Sequence, residues 1–167
     1  MLGKVKSLRE LFEIELRYAY DCEQKLTTKG LPAMIENANS PELRAALKQH
    51  LGETQNHITR LERVFSTLGV EPDTKSNAIL EEMMKAAKDS VSNIEDSPLR
   101  DAALIVDGNM VEHYEIALYG SLVALARQLN IDAAALQETL QEEKAADAKL
   151  SQIAESLLNR KASRQSA

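Results

Sequence analysis

The chain has 167 residues, of which 20 are Lys or Arg and 26 are Asp or Glu, and its formal net charge is −6. This length fits a single domain with a substantial core. The acidic balance, the absence of Trp and the lack of a dense Lys/Arg cluster argue against nucleic acid as a partner.

Cysteine content and apolar runs bear on the cellular compartment. Cys22 is the only cysteine, so no disulfide can form within the chain, and a reducing compartment fits. The first seven residues lack the apolar region of a secretory signal. No apolar run approaches the ~20 residues that a membrane span needs. We therefore expect a cytoplasmic protein without a membrane partner.

The first predicted helix begins at Leu8. Ser7 and Glu10 form a capping box, in which each side chain satisfies a backbone N–H group of the first turn. Apolar residues keep helical spacing as far as Leu26. Gly30-Leu31-Pro32 then interrupts the pattern and predicts a kink, with a short helical extension over residues 33–38.

Ser40 followed by Pro41 predicts the start of a second helix, because Pro is favoured at the first helical position. Gly69 predicts its end, which gives a helix of about 28 residues. A long connection follows, and within it residues 77–94 read as one amphipathic helix.

Ser97-Pro98 repeats the start signal and predicts a third long helix up to Leu129, with Asn130 as a left-handed cap. Asp132 caps the fourth. This order predicts an all-α four-helix bundle with a long crossover between helices 2 and 3 that contains an additional helix. We expect one domain over residues 1–160, a disordered polar tail over residues 161–167, and a third helix that starts at the same end as the first.

Two acids interrupt the apolar stripe of the third helix. Glu115 lies within the stripe, and Glu112 lies on its edge one turn earlier. A buried carboxylate without a partner costs several kcal/mol or must take up a proton. Two inward acids therefore require an explanation from the rest of the chain.

The other three helices carry inward polar residues at matching levels. Glu23 to Glu53 spans 30 residues and Glu112 to Glu143 spans 31, so two hairpins of similar length bring these groups to one level. Carboxylates with imidazole suit iron or manganese, and helical bundles build dinuclear sites from such sets. The candidate metal ligands are Glu23, His50, Glu53, His57, Glu112, Glu115, Glu143 and Asp147.

Five segments of the chain resemble the YciF-type family of ferritin-like proteins over nearly the whole length. They are residues 21–26 (DCEQKL), 50–54 (HLGET), 101–105 (DAALI), 111–120 (VEHYEIALYG) and 142–150 (EEKAADAKL). More distantly, the third and fourth helices resemble the glutamate motifs of rubrerythrins, with Asp147 in place of a histidine.

The resemblance implies a ferritin-like bundle that holds two iron ions, or manganese or mixed metals, and meets dioxygen or peroxide. It associates the chain with stress responses. As an enzyme the protein would be a di-metal oxidoreductase that oxidises Fe(II) or reduces peroxide or dioxygen. A single cysteine excludes the additional cysteine-bound iron site of rubrerythrins.

Several alternatives stay open at the level of sequence. The site could be vestigial or stabilising in a non-enzymatic structural or interaction protein, or the acids could be protonated in a metal-free bundle. His50 and His57 both face inward, and either could be the nitrogen ligand. His113 points away from the stripe of Glu115. A homodimer is expected, with Ile58 and Phe65 on an apolar outer face.

Overall fold

The structure of the protein is a computed structural model that describes residues 4–95 and 97–165. These residues form helices joined by short connections and contain no β-strand, so the all-α prediction is confirmed. The helices are α1 (Leu8–Lys25), a π-helical segment (Leu26–Gly30), α2 (Leu31–Asn37), α3 (Pro41–Leu68), α4 (Ala78–Ser92), α5 (Ser97–Gln128) and α6 (Ala134–Gln165).

Local side-chain chemistry sets the ends of the helices as the sequence predicts. The Ser7 hydroxyl accepts a hydrogen bond from the Glu10 N–H at 3.1 Å, and the Ser40 hydroxyl accepts one from the Leu43 N–H at 3.4 Å. Gly69 ends α3 with a φ of 69°, a left-handed conformation that glycine adopts without a Cβ penalty.

The predicted kink near Pro32 is a π-helical segment, and the helix continues through it. Pro32 has no backbone N–H to donate to the preceding turn. The Leu31 N–H bonds to the carbonyl of Leu26, five residues back. This wider turn replaces the kink that the sequence predicts. It joins α1 to α2 without a break in the helix.

The third long helix runs in the opposite sense to the sequence prediction. The Asp101 carboxylate, near the start of α5, accepts hydrogen bonds from the backbone N–H groups of Asn39 and Ser40 at the start of α3. Thus α5 begins at the same end as α3, and the prediction that it begins beside the start of α1 is wrong. The crossover returns along the length of α3, so α5 must start where α3 started.

Two apolar clusters occupy the two ends of the bundle. One cluster includes Phe12, Leu61 and Leu122, and the other includes Leu26, Leu47 and Ile153. Between them lies a layer in which the buried side chains are mostly polar. The apolar clusters hold the helices together and shield this polar layer from water at both ends.

Two further expectations concern the surface of the bundle. Phe65 is fully buried and Ile58 packs against the core, so the prediction of an apolar outer face formed by these two residues is wrong. The Phe65 ring packs edge-on against Tyr20 of α1. Exposed apolar side chains lie instead on α5, at Val106 and Met110. The homodimer stays a prediction.

The last helix continues to Gln165, five residues into the segment for which the sequence predicts disorder. Residues 161–165 contain neither Gly nor Pro, so nothing in the local sequence ends the helix. Residues 166–167 lie outside the described residues. Within the described part of the chain, no helix is both long and apolar enough to cross a membrane.

Asp101 should contribute measurably to stability, because its buried carboxylate fixes the connection between α2 and α3. We expect Asp101→Ala to lower the free energy of unfolding by about 2–4 kcal/mol, the range for losing two charge-assisted hydrogen bonds that a buried carboxylate accepts. Urea denaturation with a metal chelator present measures the change. Asp89→Ala, at an exposed position on α4, is the control and should change it by less than about 0.5 kcal/mol. An equal loss in the two variants would contradict this role.

Candidate metal centre

Six of the eight predicted ligands meet in the polar layer between the two apolar clusters. They come from all four long helices and are buried: Glu23 on α1, His50 and His57 on α3, Glu112 and Glu115 on α5, and Glu143 on α6. They form two groups that share Glu143, and the potential ligand atoms of each group lie within 4.8 Å of one another.

The first group consists of His50, Glu112, Glu115 and Glu143. The Nε2 atom of His50 lies 3.3 Å from Glu112 Oε1 and 3.6 Å from Glu143 Oε2. Its Nδ1 atom faces Glu53 Oε2 at 3.3 Å. One ring nitrogen thus faces the interior of the group, while the other contacts a carboxylate at its edge.

The second group consists of Glu23, His57 and Glu143. The Nδ1 atom of His57 lies 3.0 Å from Glu143 Oε1 and 3.4 Å from Glu23 Oε1. Its Nε2 atom contacts Glu142 Oε2 at 2.8 Å. A carboxylate on the remote nitrogen is the arrangement that fixes the ring orientation of metal-binding histidines.

The carboxylates of this layer have more acceptor atoms than the surrounding protein satisfies. One buried oxygen on each of Glu23, Glu112 and Glu115, and both oxygens of Glu143, have no hydrogen-bond partner among the described residues. Buried polar atoms in folded proteins are normally paired. Two divalent cations would also balance the four carboxylate charges with the imidazoles neutral. The residues therefore fit a pair of metal ions.

Burial dominates the electrostatics of the acids. It raises the pKa of Glu23, of Glu143 and, most strongly, of Glu115, where the neighbouring carboxylates add to the effect. Each shift favours the protonated form, because the charged form loses its hydration without gaining a sufficient partner. Without metal, the layer therefore retains protons that a cation must displace.

The two histidines respond in the opposite way to burial. Burial alone lowers their pKa, but the carboxylate contacts outweigh it. The carboxylates of Glu143 and Glu23, which lie beside the Nδ1 atom of His57, raise the pKa of His57 to about 10. Contacts with Glu112 and Glu53 likewise raise the pKa of His50 well above its usual value. The metal-free layer thus pairs imidazolium ions with carboxylates.

The remaining two predicted ligands lie at the margin of the layer. The Glu53 side chain is 28% exposed and contacts only the outer nitrogen of His50 within the set. Asp147 lies 3.3 Å from the Nε2 atom of His113, whose side chain is 71% exposed. Neither Glu53 nor Asp147 belongs to either of the two groups.

Two contacts around the layer do not follow from the sequence reasoning. The fully buried Tyr119 hydroxyl donates a hydrogen bond to Glu23 Oε1. Arg60 pairs with Glu142, the residue that holds His57. Arg60 lies three positions after His57 and so shares its helix face, a signal that the sequence contained. No spacing rule points to Tyr119, because its partner is on another helix.

A cavity of about 220 Å³ reaches the layer between α3 and α6. His50, Glu53 and Glu112 lie on its polar side, and Leu47, Lys149 and Leu150 are among the other residues that line it. Small molecules and ions therefore have a space next to the first group. Glu53 is both partly exposed and in contact with His50, so it links this cavity to the buried centre.

A family model described as "Domain of unknown function (DUF892)" matches residues 7–163. The chain belongs to the DUF892 family. It is 36% identical over 161 residues to Protein YciF of Escherichia coli (strain K12), which covers 95% of this chain and 96% of that protein. The resemblance to the YciF-type family is thereby confirmed.

Solved structures of relatives have the same fold. The crystal structure of the E. coli stress protein YciF has a TM-score of 0.88 and 34% identity, covering 93% of this chain and 99% of that chain. YcfI, described as a putative structural protein from Rhodopseudomonas palustris, has a TM-score of 0.87 and 38% identity, covering 90% and 97%. A helical architecture of this kind is therefore a property of the family.

The raised pKa of His57 predicts how the metal-free protein responds to pH. A group whose folded pKa lies above its ordinary value of 6.5 stabilises the fold fully below pH 6.5, and this contribution is lost as pH rises through about 10. We expect the difference in unfolding free energy between the native protein and His57→Gln to shrink from pH 6.5 to pH 10. Urea denaturation with chelator measures it, and a difference that grows with pH would contradict the assignment.

Proposed function

We propose that the protein binds two iron or manganese ions in the polar layer of the bundle. The observation that carries this proposal is the shared position of Glu143. Its carboxylate belongs to two buried groups, one with His50, Glu112 and Glu115 and the other with Glu23 and His57. A carboxylate common to two groups is suited to bridge two cations, as in the dinuclear sites of other helical bundles.

The side chains around the two groups support a preorganised site. Glu142 accepts a hydrogen bond from the Nε2 atom of His57, leaving Nδ1 directed at Glu23 and Glu143. Arg60 in turn holds Glu142. Such outer contacts fix the tautomer and orientation of a ligand, and their loss commonly costs 10–100-fold in metal affinity.

When bound, iron or manganese would supply the electron-transfer steps needed to oxidise Fe(II) or to reduce dioxygen or peroxide. The chain provides a water-poor environment between two apolar clusters, and a small cavity beside His50 and Glu112 through which such molecules could enter. Its buried glutamates, with their raised pKa values, can hold and release protons on oxygens that face the centre.

A non-enzymatic role is the second candidate. The groups join residues of α1, α3, α5 and α6, so bound ions would cross-link the four long helices and stabilise the bundle. One relative is described as a putative structural protein and another as a stress protein. The two candidates share the metal site and differ only in whether the bound ions change oxidation state.

Replacing the shared ligand tests the metal site. We expect the native protein, reconstituted with Fe(II) or Mn(II) without oxygen, to retain about two ions per chain. Glu143→Gln keeps the side-chain volume but removes the bridging charge, so it should retain fewer than half as many. Glu155→Gln, an exposed position on the same helix, should match the native protein. Elemental analysis after gel filtration gives the metal content.

Two results would contradict the metal proposal: a native protein that retains no metal, or a Glu143→Gln variant that retains as much as Glu155→Gln. Exposure of the Fe(II)-loaded protein to dioxygen or peroxide then separates the two candidate functions. Oxidation of the bound iron with consumption of the oxidant supports the oxidoreductase. Bound metal whose oxidation state does not change, together with a raised melting temperature, supports the structural role.

Tyr119 should act on metal affinity through Glu23. Tyr119→Phe removes only the hydroxyl that donates to Glu23 Oε1, so Glu23 loses its orientation while the aromatic packing is retained. We expect about tenfold weaker binding of one of the two ions and an unchanged affinity for the other. Competitive titration with a chromophoric chelator resolves the two affinities. Equal weakening of the two ions would instead indicate a general loss of structure.

A further inference from the structure

A second cavity lies away from the metal centre, in a cleft enclosed by the π-helical segment, α2, α4 and α5. Its volume is about 790 Å³, within the range of cavities that hold small organic ligands. None of the six residues of the metal groups lines it. A ligand could therefore bind in this cavity whether or not the proposed metal site is correct.

The interior of this cavity is apolar. Buried and partly buried side chains from each surrounding element form its walls: Leu26, Met34, Met84, Val91, Leu104 and Val111. Two of them are methionines, whose flexible thioethers adapt to ligands of irregular shape. π-helical segments such as Leu26–Gly30 are rare and often occur at functional sites.

The rim of the cavity carries the opposite charge to the rest of the protein. Lys29, Lys85, Lys88 and Arg100 line it, against a single acid, Asp107. This excess of cations is notable in a chain with a net charge of −6. Lys85 and Lys88 are exposed and lie on one face of α4, because residues three apart are neighbours on a helix.

The cations of the rim remain available to a ligand. The Lys85 ammonium group lies 3.7 Å from an exposed carboxylate of Glu82, a type of ion pair that contributes little. Arg100 donates hydrogen bonds to the carbonyl of Ile94, which orients the guanidinium group without neutralising its charge. An anion at the rim would thus gain several charge-assisted contacts.

We propose that this cavity binds an amphipathic carboxylate of the fatty-acid type. The acyl chain would lie against the apolar walls between α2, α4 and α5. The carboxylate would lie at the rim near Lys85 and Lys88. Charge complementarity favours this ligand over a neutral hydrocarbon and over a cationic amphiphile. The enclosure of the cleft by the π-helical segment and three helices favours a small molecule over a second protein chain.

Displacement of a fluorescent fatty acid, dansyl-undecanoate, by dodecanoate tests the proposal in the full chain with a metal chelator present. We expect saturable binding with one site per chain. Dodecanol, which has the same chain but no charge, should compete at least about tenfold more weakly, because it loses the charge-assisted contacts at the rim.

Variants locate the site. Lys85→Glu/Lys88→Glu should weaken dodecanoate binding at least about tenfold, and Ala87→Phe should weaken it by filling the cavity. Lys144→Glu, at an exposed position on α6, is a charge-reversal control remote from the cavity and should bind as the native protein does. Circular dichroism confirms that each variant is folded.

Three outcomes would overturn the proposal. The first is the absence of saturable binding, including the case in which a second copy of the chain closes the cleft in solution. The second is equal competition by dodecanol and dodecanoate. The third is equal binding by the rim variant, the Ala87→Phe variant and the Lys144→Glu control. Metal content is measured on the same samples and does not depend on any of these results.

Discussion

The burial of four glutamates beside two histidines is the constraint on which the rest of this structure depends. Charges removed from water cost far more than a typical protein has in net stability. The polar layer is compatible with folding because its negative charge is offset, by protons on the histidines and glutamates or by cations. The two apolar clusters above and below supply the burial energy that keeps the layer closed. The stability of the fold and the proposed binding of metal therefore depend on the same few side chains.

The arrangement of the helices places this layer at a level that is insensitive to helix direction. The polar residues of three helices lie near the middle of their helical stretches: Glu23, Glu112, and His50, Glu53 and His57 of α3. Reversing a helix exchanges its ends but leaves its midpoint in place. For this reason the six buried residues of the layer come together although the predicted direction of α5 is wrong.

Periodicity and capping signals predicted the helices closely, because both are local properties of the chain. Ser40-Pro41 and Gly69 bound α3 as expected. The position of Glu143 between two groups, and the hydrogen bond from Tyr119 to Glu23, depend on side-chain geometry across helices, which one sequence does not contain. The prediction that Phe65 lies on the outer face of α3 is wrong for a related reason. A stripe of apolar residues in a sequence does not reveal how wide the buried face of the helix is.

The π-helical segment has a consequence for the register of the chain. Its hydrogen-bonded turn contains one more residue than the turn of an α-helix. Each residue of an α-helix corresponds to a rotation of about 100° around the helix axis. Removing that residue would turn α2 by roughly a quarter of a circle and carry Leu31 out of the core and Met34 away from the apolar cavity. One irregular turn thus sets the angular relation between the helix that carries Glu23 and the helix that lines the second cavity. A deletion there would act as a rotation of the following helix, and its effect would extend well beyond the segment itself.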